Sequence, residues 1–157
     1  MAQQTCHVLT SWNDDISSLA AVTPGRLTNA ASLVARRTIV VDYMRAIYDR
    51  TAQLSPSFKA LGARYHDVPG ASGVEEALAK EFDHTTKALA GAVPIAQTMP
   101  TDSESSFDAV KAKIQDIISN AGGNGMQLSD LHISSVGDTA AVFKALQTDP
   151  ACAPIFG

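Results

Sequence analysis

The stretch Ser105-Ser106-Phe107-Asp108-Ala109-Val110-Lys111-Ala112-Lys113-Ile114-Gln115-Asp116-Ile117-Ile118-Ser119-Asn120 decides the fold class. Its apolar residues, Phe107, Val110, Ile114, Ile117 and Ile118, follow one another at spacings of 3, 4, 3 and 1. A 3.6-residue period gathers them on one face. This is an amphipathic helix, and Gly122-Gly123-Asn124-Gly125 is a stop signal behind it.

The same period recurs toward the N-terminus. Val74, Leu78, Phe82, Thr85 and Leu89 form one stripe, with Ser72 as an N-cap candidate and Glu75 as its capping-box partner. Ala30 to Leu54 holds no Gly or Pro, with Val40, Tyr43, Met44, Ile47 and Leu54 at helical spacing. Thr28 or Asn29 is the expected cap, and Ser55-Pro56 the expected end. A first helix is predicted from Asp14 or Asp15 through Ile16, Leu19 and Ala20, broken at Pro24-Gly25, with residues 1–11 irregular. Residues 57–72 read as a connector, with room for a short strand. Toward the C-terminus, Asp138 caps a short helix with Val142, Phe143 and Leu146.

Pro94 to Pro100 interrupts the chain, and Thr101-Asp102-Ser103-Glu104-Ser105 is acidic and has no apolar anchor. It reads as a long loop between the third and fourth helices. The economical way to bury four apolar faces is an antiparallel four-helix bundle, here all-α, with a short extra C-terminal helix. Residues 1–157 are expected to form that single domain.

Composition supports a globular chain: 45% of its 157 residues are apolar and 18% charged. The net charge of −4 argues against a free nucleic-acid-binding domain, so any such role must be local or arise from many copies. No apolar run reaches the length of a membrane span. The start Met1-Ala2-Gln3-Gln4 lacks signal-peptide character, and a cytosolic protein is the expectation. Cys6 and Cys152 are then expected as free thiols. The alternative is a disulfide joining the ends, which would imply secretion.

Catalytic patterns are missing from the sequence. His7, His66, His84 and His132 share no metal-ligand spacing, and no phosphate loop or nucleophile elbow occurs. Asp14-Asp15 and Glu75-Glu76 fall at expected helix starts, where acids favour the positive dipole end. The pair Arg36-Arg37 stands out. Adjacent helical positions point about 100° apart, so both cannot easily face solvent from an apolar helix. An edge salt bridge or snorkelling is the bland explanation; contact with an anion such as phosphate is the functional one. Lys87, Lys111 and Lys113 flank the expected loop and would extend such a site.

Several motifs, in order, resemble the coat proteins of rod-shaped, tobacco-mosaic-type RNA plant viruses. They are Trp12-Asn13-Asp14-Asp15-Ile16, Arg36-Arg37-Thr38-Ile39-Val40, Ala77-Leu78 through Phe82-Asp83, Ser106-Phe107-Asp108-Ala109 and Val142-Phe143-Lys144. The family's arginine pair after the third helix's Phe-Asp is here Thr85-Thr86-Lys87. The resemblance implies a non-enzymatic capsid subunit without metal or cofactor. Such subunits self-assemble into helical rods, as homo-oligomers of many copies, in the virion and the host cytoplasm. It implies packaging of single-stranded RNA by Arg36 or Arg37 with Thr38, Thr85, Lys87, Asp108 and Lys111. It also sets Asp102 and Glu104 in an inner loop, where ionised neighbours would repel and mild acid would favour assembly. Two other classes compete. One is a carrier bundle for lipid, haem or pigment; Ser57-Phe58-Lys59 to His66 with Ala92-Val93-Pro94 is faintly similar to peridinin–chlorophyll proteins. The other is a secreted helical interaction domain closed by Cys6–Cys152.

Overall fold

The computed structural model describes residues 1–120 and 137–156, and they are helical, with no strand among them. The helices are α1 (Ala2–Thr28), α2 (Leu33–Ala52), α3 (Leu54–Arg64), α4 (Ala71–Gln97), α5 (Glu104–Asn120) and α6 (Asp138–Thr148). A 3-10 turn (Pro150–Cys152) and the short α7 (Ala153–Phe156) follow. The Gly122–Gly125 stop signal and His132 lie outside the described residues.

Two expected boundaries fail for a shared reason. α1 continues through Pro24 and α4 through Pro94. A helical proline removes one hydrogen bond and leaves the carbonyl four residues earlier without a donor. Here those carbonyls belong to Ala20 and Ala90, both exposed residues, where a missing donor costs less than in the core. Each proline also lies within a turn of its helix's end. The N-terminal eleven residues, expected irregular, are helical because Thr5, Cys6, Leu9 and Trp12 continue the buried stripe of Ile16. Polar Gln3 and Gln4 on the outer face hide that stripe from a sequence reading.

The connector expected at 57–72 is largely α3, without a strand. Ser55-Pro56 opens this helix instead of closing α2; proline is well tolerated in a first turn, where its missing N–H has no partner to lose. Leu54 and Phe58 anchor it in the core. The α2 cap is Ser32, whose hydroxyl accepts from the Ala35 N–H at 3.2 Å, not Thr28 or Asn29. α4 begins one residue before Ser72, after Gly70 at φ 80°. Gly70 is required twice over: by that angle, and because a Cβ there would lie 2.3 Å from the Asp138 carbonyl carbon. The start of α6 therefore rests directly on the start of α4.

α4 is the central element. Its Val74, Leu78, Phe82, Leu89 and Ala92 are buried, and it packs on α2, α3, α5 and α6. The Phe82 ring meets Trp12 edge-on at 5.2 Å and stacks with Phe58 at 5.5 Å. The Trp12 indole N–H donates to the Thr51 hydroxyl at 3.2 Å, so the ring is buried without an orphaned donor. α2 runs antiparallel to α1 and to α4: Trp12 meets Thr51, and Arg37 meets Met99.

Cys6 and Cys152 form a disulfide, with Cα atoms 4.9 Å apart, and both are fully buried. This corrects the expectation of free thiols. The 3-10 turn carries Cys152 against α1, where the Thr10 hydroxyl also donates to the Ala151 carbonyl at 2.9 Å. The sequence separation of 146 residues hides this proximity from any local pattern.

Candidate nucleic-acid interface

Four chain segments converge at the far end of α1 from this disulfide. They are the C-terminus of α1, the first turns of α2, the exit of α4 and the first turns of α5. Leu27, Thr28, Arg36, Phe107, Asp108 and Lys111 line a depression there of about 240 Å³. Cys6 and Leu27 are separated by about 30 Å of helix.

Arg36 and Arg37 are both half-buried, as their adjacent helical positions require. Arg36 Nη1 donates to both oxygens of Glu104, at 2.8 and 3.0 Å. Its Nε is buried and has no protein acceptor. Arg37 Nη1 donates to the Met99 carbonyl at 3.3 Å, covering one of the acceptors left open beyond the end of α4. Lys111 Nζ lies 3.2 Å from Asp108 Oδ1, one helical turn away. Three cations thus face two carboxylates, and the N-termini of α2 and α5 add their positive dipole ends.

Other candidates fall elsewhere. The Thr38 hydroxyl is exposed and donates back to the Val34 carbonyl at 3.2 Å. Thr85 is 1% exposed on the inner face of α4, so it is a core residue and not a surface contact. Lys87 is exposed but sits ten residues before the end of α4, about 15 Å along the axis. It lies near Asp83, whose carboxyl is held below its ordinary range by the Ser55 hydroxyl first and then by Lys59 and Lys87.

The acidic loop needs correction. The connection from α4 to α5 is the short run 98–103, and buried Met99 anchors it. Asp102 is exposed within this run. Glu104 is the first residue of α5 and is paired with Arg36 of its own chain. The Ser103 hydroxyl accepts from the Ser106 N–H at 3.3 Å and starts the helix. A sequence reading finds Arg36, Arg37, Asp108 and Lys111 but misses Leu27, Thr28 and the Met99 carbonyl. Only the shortness of the connection brings these to one place.

Near the disulfide end a larger depression of about 600 Å³ is lined by His7, Ser11, Trp12, Asp15, Asp49 and Arg50, among others. Arg50 is paired with Asp15 across it. Among the described residues no group of three or more His, Cys, Asp or Glu could hold a metal ion. None of their helices is long and apolar enough to cross a membrane. No family model, no curated protein and no solved structure matches this chain.

Proposed function

We propose that this chain is the repeating subunit of a helical ribonucleoprotein rod, a coat protein of the tobacco-mosaic type. Its body is an antiparallel four-helix bundle of α1, α2, α4 and α5. The observation that carries this reading is the polarity of the molecule. The Cys6–Cys152 junction lies at one end of α1 and the cluster of Arg36, Arg37 and Lys111 at the other. A rod that encloses single-stranded RNA needs such an arrangement, with the junction outward and the cations inward.

The cluster grips phosphate rather than base edges, as sequence-independent packaging requires. Arg36 exchanges Glu104 for phosphate at little cost. Their side chains are 31% and 62% exposed, and an ion pair of that kind contributes at most about 1 kcal/mol. Asp108 accepts from a ribose hydroxyl. The subunit needs no positive net charge, because weak contacts add along one strand. With three phosphate contacts per subunit, affinity for single-stranded RNA falls with a log–log salt slope of about −2. Filter binding of a short RNA across salt concentrations tests this; a slope near zero would remove the cluster from RNA binding. The rod belongs to the virion and assembles in host cytoplasm.

The disulfide favours a second reading, a helical interaction domain that folds in an oxidising compartment. In the coat reading the chain folds with both thiols reduced, and the double Cys6→Ser, Cys152→Ser variant still forms rods. In the second reading the chain stays discrete at all RNA concentrations.

A further inference from the structure

α5 packs principally on α4, and a cleft remains between it and the C-terminal half of α1. The floor of this cleft is Val40 and Tyr43 of α2. Its walls are Ala20, Thr23, Pro24 and Leu27 on one side and Ile114 and Ile118 on the other. The cleft holds about 400 Å³, within the range of small-molecule sites. It follows α1 from Ala20 to Thr28, about 12 Å. Leu27, Thr28 and Lys111 also line the charged depression, so the cleft adjoins it: apolar at the Ile118 end, cationic at the Lys111 end.

We propose that this cleft binds a single-chain anionic amphiphile, a long-chain carboxylate. Its tail lies between α1 and α5 and its head meets Lys111 and Arg36. Size and charge select this occupant. A volume of about 400 Å³ is that of a small-molecule site rather than a seat for a partner helix, which is about 10 Å across with its side chains. Most of the lining surface is apolar, so an alkyl chain gains more there than water does. The carboxylate head replaces Asp108 on Lys111 and Glu104 on Arg36, two exposed ion pairs of little strength. Half-buried Tyr43 lines the floor, and burial raises its pKa above the ordinary value, so its phenol stays neutral. The head takes the same Lys111 and Arg36 that the RNA reading gives to phosphate, so the two ligands compete; binding to the RNA-free chain tests this proposal by itself.

Calorimetric titration of the purified, delipidated chain with octanoate, decanoate and dodecanoate, each below its micelle concentration, tests it. Each methylene buried adds about fourfold in affinity. Dodecanoate binds at one site and tighter than dodecanol. Ala20→Trp, at an exposed wall position that leaves the core intact, lowers dodecanoate affinity at least tenfold. Lys111→Glu weakens dodecanoate but not dodecanol. Absence of saturable binding overturns the proposal, as does an affinity unchanged by chain length, by Ala20→Trp or by Lys111→Glu. Circular dichroism melts of both variants verify that they fold.

Discussion

Glu75 is the most consequential side chain outside the charged end. It is fully buried on α4, facing the first turns of α1. One carboxyl oxygen accepts from the Thr5 hydroxyl at 2.5 Å; the other is buried and unpartnered. Gly62 of α3 closes over it, its Cα hydrogen standing where a Cβ would meet Glu75 Cβ at 3.3 Å. Burial pushes the carboxyl from its ordinary 4.5 up to about 7, against smaller opposing effects from Thr5 and the chain's amino terminus. The folded state therefore holds a proton between these values that the unfolded chain has released. Stability is constant below about pH 4.5 on this account, falls as pH rises through the window, and levels off above about pH 7. At about 1.4 kcal/mol per unit the loss amounts to about 3 kcal/mol. Glu75→Gln keeps an oxygen for Thr5 and carries no charge, so its profile lacks this fall. Urea unfolding followed by fluorescence of buried Trp12, at pH 5, 6, 7 and 8, measures both proteins. The difference between the two profiles isolates Glu75 from the histidines. Parallel profiles would refute the reasoning.

Three further outcomes follow from particular contacts. Loss of the Cys6–Cys152 bond in the double serine variant lowers stability by up to about 5 kcal/mol, the chain-entropy value for a loop of 146 residues; a chemical-denaturation midpoint equal to that of the oxidised protein would contradict this. Gly70→Ala destabilises by at least about 2 kcal/mol, because the added methyl collides with Asp138 in a left-handed conformation; thermal melting reads it. Arg36→Ala reduces the RNA salt slope by about 0.7, one phosphate contact, while leaving the melting temperature within a few degrees.

The helical class was legible because the stripes of α4 and α5 are nearly pure. Val74, Leu78, Phe82, Thr85 and Leu89 are all buried, as are Phe107, Ile114 and Ile118. Helix ends were less legible. Proline reads as a breaker in sequence, but its cost depends on whether the residue four back is buried, and Ala20 and Ala90 are exposed. Ser55-Pro56 is equally a stop or a start until the burial of Leu54 and Phe58 chooses. In sequence Glu75 has the spacing of a capping-box acid; the first turns of α1, which have no clear helical signal, cover it. At the charged end the arginine pair announced itself, whereas the partners Glu104 and Met99 depend on how tightly the chain turns after α4. The disulfide is purely tertiary and has no local signature.

Electron microscopy of the purified chain in negative stain, with and without single-stranded RNA at low salt, tests the central claim most directly. The coat reading predicts stacked discs or rods that lengthen with RNA and are lost in the Arg36→Ala, Arg37→Ala, Lys111→Ala triple variant. A uniform monomer under every condition would contradict it.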